Sequence, residues 1–520
     1  MRRIGFGFLL ALALTVPAAA SIPQVKLEQG FVSGTTDGDI AVFKGIPFAA
    51  PPTGDLRWRP PQPPASWNDV RDARAFGAIC PQEPDRAAKR LKQSEDCLTL
   101  NVWAPGIKPG GKLPVMVWIY GGGFRGGASA FPYYDGTELA DHGVVVVSFN
   151  YRLGWLGFFN HPALAKENAG EPTGNYGLMD QIAALRWVQR NIAAFGGDPA
   201  NVTIFGESAG GMSVNDLMIS PSARGLFKRA ISESGLGLLP IPTADAAATQ
   251  AEAFAKREHV AAAGEDALSQ LRKLPVSAVL ADQKGVPLDK ATTPMVDGRI
   301  IPNQPAVLFA QGKIAPAAYL AGSNSNEASL MKWLSATNQQ ILARFGDKLP
   351  DIRKLYGQDG ALTDEMLAHQ LFDDQVFAAG AHALAAFVAK TGEPAYVYHF
   401  AYVAEAQRSK ETGVAHGGEI PFVFGLHGLR KYPLLAARLA GKTTDSDHKI
   451  VDMMQGYWTN FAKGGNPNGD GLPEWVSATA NEDDTLVVND NTKTVTGFRR
   501  PMLALVYQGW SKQTGIPIPY

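Results

Sequence analysis

Residues Phe195 to Gly211 read FGGDPANVTIFGESAGG, and few folds accommodate that order of parts. A Gly-Gly-Asp-Pro turn leads into a short strand at Val202, Thr203, Ile204 and Phe205, then into Gly206-Glu207-Ser208-Ala209-Gly210, then into a helical pattern. A serine on a tight strand-to-helix turn sits in a strained backbone conformation, so its neighbours must be small enough for strand and helix to close on each other. Ser208 is expected to stand exposed above the helix N-terminus, where developing negative charge is favoured. Five residues alone say little, because such turns also occur without chemistry. The strand before and the helix after make Ser208 a candidate nucleophile.

The surrounding chain supplies a scaffold for such a turn. Apolar, β-rich runs recur at Val115 to Tyr120, Val144 to Phe149, Val202 to Phe205 and Ala318 to Gly322, with helical stretches between them. Alternation of this kind implies crossovers and a mostly parallel sheet with helices on both faces. The run from Val144 to Val147 is uninterrupted valine, as a strand covered on both faces requires. Leu178, Ile182, Leu185, Val188 and Ile192 mark an amphipathic helix ending near Phe195-Gly196-Gly197, and Ile450, Met454, Tyr457 and Phe461 mark another over Asp447 to Phe461. Ala244 to Lys273 and Ala361 to Lys390 read as helical insertions, and the Pro-rich piece from Pro47 to Pro64 as an ordered extended connection.

At 520 residues length alone would suggest roughly two to four domains, but large open α/β sheets with insertions are the usual exception. The expectation is one α/β domain over residues 21–520. Ahead of it, Arg2 and Arg3, an apolar run from Ile4 to Val16 and Pro17-Ala18-Ala19-Ala20 have the layout of a cleavable secretory signal over residues 1–20. The run is too short to anchor the chain in a bilayer. A secreted or periplasmic protein is expected, with its mature chain starting near Ser21. Export to an oxidising compartment implies that the two cysteines, Cys80 and Cys97, are bonded, a closure worth on the order of 3 kcal/mol in the chain-entropy description. A net charge of -1 gives no electrostatic case for nucleic acid or an acidic membrane, so small neutral molecules are the expected partners. The oligomeric state is left open.

A serine hydroxyl needs a base to take its proton and an acid to orient that base. In α/β-hydrolase chains the order is serine, acid, histidine. Gly413-Val414-Ala415-His416-Gly417-Gly418 places His416 in a Gly-flanked loop able to reach a pocket. His259, His369, His382, His399, His427 and His448 stand as alternatives on composition and spacing. For the acid, Glu327 lies in a loop after the strand at Ala318 to Gly322, at the end of a strand where α/β sheets place functional groups; Asp297 and Asp373 are not excluded. Tyr120-Gly121-Gly122-Gly123-Phe124 closes an earlier strand, and its glycines let backbone amides approach a substrate oxygen. The amides of Gly122, Gly123 and Ala209 would form an oxyanion hole. A phosphate cradle is the other reading of such a loop, but no Gly-Lys-Ser/Thr follows it.

With these residues in view the chain resembles the type-B carboxylesterase family, which includes the cholinesterases. The resemblance is carried by Phe195-Gly196-Gly197 through Gly210 and by Glu95-Asp96-Cys97-Leu98-Thr99-Leu100-Asn101-Val102-Trp103-Ala104-Pro105. It continues from Phe43-Lys44-Gly45-Ile46-Pro47 to Tyr457-Trp458-Thr459-Asn460-Phe461, nearly the whole mature chain. It implies an α/β-hydrolase fold, Ser208 as nucleophile, His416 as general base and Glu327 as acid. The oxyanion positions it implies are Gly122, Gly123 and Ala209, and it pairs Cys80 with Cys97. No metal or cofactor is implied. The departures limit the substrate: cholinesterases carry a tryptophan inside the first disulfide loop, whereas the stretch between Cys80 and Cys97 holds no aromatic residue, so choline esters are not expected to be preferred. Ala328 follows Glu327 where the family usually has glycine. The expected activity is serine-dependent hydrolysis of carboxylic esters through an acyl-enzyme. The alternatives are an amide, carbamate or polyester hydrolase with the same residues, or a non-catalytic binding protein on the same fold.

Overall fold

The computed structural model describes residues 22–518, apart from 84–87, 168–169, 261–264, 282–291, 358–361, 426–442, 480–481 and 483. The expected signal at 1–20, the expected mature start at Ser21 and the alternative base His427 lie outside the described residues. The strands are β1 (Gln24–Lys26), β2 (Phe31–Ser33), β3 (Thr35–Asp37), β4 (Ile40–Pro47), β5 (Arg71–Asp72), β6 (Thr99–Pro105) and β7 (Leu113–Ile119). They continue as β8 (Val145–Phe149), β9 (Gly197–Glu207), β10 (Arg229–Glu233), β11 (Ala318–Asn324), β12 (Ala395–Phe400), β13 (Asp484–Val488) and β14 (Lys493–Thr496). Among the described residues, eleven of these form one sheet in the order β14-β13-β12-β11-β10-β9-β7-β8-β6-β4-β3. Every pairing from β13 across to β8 is parallel. Antiparallel pairing is confined to the two ends.

The sheet's centre is where the continuous apolar runs fall. All of β8 is buried, as are Val115 to Ile119 of β7 and Val202 to Phe205 of β9. Strands covered on both faces need no polar alternation. The helix Tyr176–Asn191 buries Leu178, Ile182, Leu185 and Val188, and each such side chain removed from water contributes about 1.5–3 kcal/mol. Asp445–Gly464 opens on a capping box between Thr444 and Asp447, which satisfies amides that the first helical turn leaves unpaired. It buries Ile450, Met454, Tyr457 and Phe461 and packs on β7 and β9.

One expectation needs correcting. Ala244–Arg257 and Glu265–Lys273 are helices as expected, but Ala379–Lys390 is no insertion: it packs against β11 and β12 with residues 379–388 buried. Its alanines reflect close approach to strands rather than helix propensity alone. The Pro47 to Pro64 segment is ordered, with a short 3-10 turn at Gly54–Leu56 and Trp58 fully buried, its indole N–H donating to the Trp155 carbonyl at 2.8 Å.

Parallel register decides where the site can be. Glu207 at the end of β9 pairs with Glu233 at the end of β10, which pairs with Gly322 of β11. Three strand ends, from distant parts of the chain, thus open on one rim.

Candidate active site

Ser208 follows β9 directly and precedes the helix Ala209–Ile219, with φ 58° and ψ -122°. A non-glycine residue held there is strained, and the strain persists because its surroundings over-determine it. The Ser208 amide donates to the Glu233 carbonyl at 2.9 Å, and the Ser208 carbonyl accepts from Met212 at 2.8 Å. Gly210 has no room for a side chain: a Cβ there would lie 1.9 Å from the Ile119 carbonyl oxygen. The small neighbours expected from the sequence are thus required by contact with β7.

The Gly121–Gly127 loop runs past the same point. Gly122 and Gly123 have φ 110° and 62°, a region that favours glycine. None of the amides of Gly122, Gly123 and Ala209 donates to a backbone carbonyl among the described residues. At Gly123 the loop lies under the Trp333 ring, which a Cβ would meet at 2.4 Å. Arg125 stacks on the same ring at 5.1 Å.

Glu327 and His416 are brought together by zipped loops. Asn326 donates to the Val414 carbonyl at 2.9 Å, Val414 donates to Ser325 Oγ at 2.9 Å, and the His416 amide donates to Ser329 Oγ at 2.9 Å. Glu327 is fully buried. Its Oε2 lies 2.6 Å from His416 Nδ1. Its Oε1 accepts from Ser234 Oγ at 2.6 Å and from the Asn324 amide at 2.7 Å. Both oxygens are therefore held, which fixes the carboxylate's plane. With Glu327 on Nδ1, the neutral imidazole carries its proton there and presents Nε2 as the basic atom.

Nε2 of His416 is buried and lies 3.0 Å from Glu207 Oε1. That contact is an ion pair when the imidazole is protonated. Burial opposes a charge on His416, yet the flanking Glu207 and Glu327 carboxylates outweigh it and raise the imidazole well above the ordinary 6.5. Two further acids sit behind. Burial, with Glu207 and Glu327 nearby, pushes Glu419 up to about 8. Burial and the neighbouring Glu419 push Glu233 well above the usual range, against the bond it accepts from Trp458 Nε1 at 2.9 Å. Glu419 also accepts from the Asn324 side chain. Crowded carboxyls in low dielectric resist ionising together, so burial and crowding favour the protonated forms of Glu233 and Glu419.

The other expected residues fall elsewhere or play other parts. His399 is half-buried beside Phe498, and its imidazole is pushed down to about 3 by desolvation first and then by Arg499. His382 stacks on the same Phe498 ring. Asp297 caps its own turn through Arg299 and Ile301. Asp373 lies behind Glu327 and accepts the Ala328 amide at 2.6 Å. Cys80 and Cys97 are joined by a disulfide. Sequence reading missed Glu207, Ser234, Glu233 and Glu419 as site residues. Glu207 lay in plain view inside Gly-Glu-Ser-Ala-Gly, and Ser234 follows a strand end, where functional groups gather.

Ser208, Glu207, His416 and the Gly121–Gly123 loop line one cavity of about 1030 Å³, walled further on by Phe131, Tyr133, Trp333 and Phe422. A strand-turn-helix serine, a buried acid–histidine pair and a parallel sheet define the α/β-hydrolase class. Comparison narrows this: the carboxylesterase family profile matches residues 21–505, and the chain belongs to that family, as a carboxylic-ester hydrolase. It is 38% identical over 493 residues to the fumonisin B1 esterase of Sphingopyxis macrogoltabida, covering 91% of this chain and 88% of that one. It is 36% identical to the para-nitrobenzyl esterase of Bacillus subtilis, covering 89% and 94%. A solved structure of a pNB esterase superposes with a TM-score of 0.80 at 33% identity, covering 93% and 99%. The carboxylesterase of Geobacillus stearothermophilus gives 0.79 at 32%, covering 92% and 99%.

Proposed function

We propose that the chain is an exported serine esterase, one catalytic unit after its signal, that cleaves carboxylic esters through an acyl-enzyme. The observation that carries this is the 2.6 Å contact between Glu327 and His416 Nδ1, with His416 and Ser208 lining one cavity. In this reading His416 Nε2 takes the Ser208 proton as Oγ attacks the ester carbonyl. The carbonyl π electrons move onto oxygen, where the amides of Gly122, Gly123 and Ala209 receive them. Collapse expels the alkoxide, which takes the proton back from His416. Water then repeats the sequence on the acyl-enzyme, and Ser208 is regenerated. Glu327 holds the imidazole in the tautomer and plane this needs. Glu207, beside Nε2, favours the imidazolium formed in each transition state.

The ester bond is what the relatives' names share, and the alcohols and acids they imply differ. A cavity of about 1030 Å³ with aromatic walls suits esters with a bulky apolar part rather than small charged ones. Export is supported by the disulfide. No helix among the described residues is long and apolar enough to cross a membrane.

Hydrolysis of a p-nitrophenyl ester series of increasing acyl length by wild type and Ser208→Ala tests the reading. Wild type is expected to turn over, and Ser208→Ala to lose roughly 10⁴-fold or more in kcat. Equal rates in the two proteins would remove Ser208 from the reaction.

A further inference from the structure

A turn of π-helix, Asp374–Ala378, separates the helices Asp364–Asp373 and Ala379–Lys390. Such turns add a residue to a helix and are frequent at functional sites. This one is anchored from behind: Arg499 donates to both oxygens of Asp374 at 2.7 and 2.8 Å, and the Tyr356 hydroxyl donates to Asp374 at 2.7 Å. At its start, Asp373 Oδ1 accepts the amide of Ala328, the residue after Glu327. Within it, the Phe377 ring packs 5.2 Å from the His416 imidazole. The residue after Glu327 therefore bonds to the residue that leads into this turn, and the ring of His416 packs on a residue within it.

The local chemistry explains why an acceptor is needed there. Glu327–Leu330 is a short 3-10 helix, and the first amides of any helix have no partner within it. Asp373 supplies one from another element, at a point where Ser234, Asn324 and His416 already hold the Glu327 side chain. Side chain and backbone of Glu327 are thus fixed independently. Removing the extra residue would turn everything beyond it by about 100°, taking Phe377 off His416.

We propose that Asp373 and Phe377, set by the π-turn, are positioning residues that hold Glu327 and His416 in line for proton transfer. The inference rests on the assignment of Ser208, Glu327 and His416 made above. Burial, and then the neighbouring Glu327, push Asp373 up to about 8, so its carboxyl is mostly neutral at pH 7. Asparagine can therefore copy both its shape and its acceptor.

The test compares Asp373→Ala, Asp373→Asn and wild type on one p-nitrophenyl ester at pH 7, after thermal melts show each folded. Asp373→Ala is expected to lose about 10- to 100-fold in kcat with KM within about twofold, since misplacement costs the transition state more than binding. Asp373→Asn is expected to recover to within about threefold of wild type. An Ala variant with wild-type kcat, or an Asn variant as slow as Ala, overturns the proposal. If Asp373→Ala does not fold, Phe377→Leu is measured instead: a loss of about 3- to 10-fold in kcat at constant KM is expected, and an unchanged kcat overturns it. Labelling wild type with a fluorophosphonate separates the two levels. No label on Ser208 would sink the esterase mechanism itself, whereas a labelled wild type with an unimpaired Ala variant sinks only the role of the π-turn.

Discussion

The turn that carries Ser208 and the loops that carry Glu327 and His416 are held by different means. Around Ser208 the restraints are backbone contacts: its amide bonds to the neighbouring strand end at 2.9 Å, and Gly210 leaves no space against β7. Around Glu327 and His416 a single backbone bond, from Asn326 to Val414, is joined by several side-chain hydrogen bonds, among them the one between Glu327 and His416, 89 residues apart in sequence. The first arrangement is part of the sheet, so it cannot fail without the fold. The second is an addition to the fold, so its chemistry can be removed while the sheet remains.

Three substitutions can break or sharpen that contrast. The largest effect is expected from Gly210→Ala, whose Cβ would lie 1.9 Å from the Ile119 carbonyl oxygen. A clash of that kind against backbone is expected to cost more than about 4 kcal/mol, read as loss of the cooperative melt together with activity. A folded, active Gly210→Ala would show that the elbow has slack and would erase the contrast.

Glu327→Gln comes next. It keeps the shape of the acid but spoils the tautomer of His416, so kcat is expected to fall roughly 10³- to 10⁴-fold. Its melting temperature should stay within a few degrees of wild type. A collapse of the melt would mean that the loops support the fold as the elbow does.

The smallest effect is a displacement of the pH profile. In the proposed mechanism activity needs neutral His416, and Glu207 and Glu327 raise that group above 6.5 despite burial. Turnover should accordingly rise with pH through a value above the ordinary histidine one. Glu207→Gln removes a negative charge that favours the imidazolium, so the neutral form should persist to lower pH and the acid limb should move down by about one unit. The expected slower turnover at the plateau reflects lost transition-state stabilisation. A limb that stays in place would show that Glu207 does not act on Nε2.

How much of this was legible follows from the same contrast. Val144 to Val147, the spacing from Leu178 to Val188 and the Gly-Glu-Ser-Ala-Gly turn each encode their structure within a few residues, because periodicity and steric size are local properties. The histidine was different: composition and spacing left seven candidates, and the family resemblance separated His416 from them. The structure shows what no spacing could, that the loop after β11 is stitched to the His416 loop through Ser325, Ser329 and Asn326. Asp373, a rival acid on sequence alone, lies behind Glu327, where it accepts the Ala328 amide. Glu233 and Glu419 carried no signal, because a buried carboxyl looks like a solvated one until its neighbours are known.

The sequence by itself determined the sheet's apolar centre, the elbow and the family, since each is written in contiguous residues whose size and hydrophobicity act on their immediate neighbours. Only the tertiary structure decided which acid meets which histidine, which carboxyls are pushed towards their protonated form and where the π-turn lies beside them. Those outcomes depend on burial and on distances between residues far apart in the chain, and both the strength of a charge and the value of a hydrogen bond are set by the surroundings that folding creates.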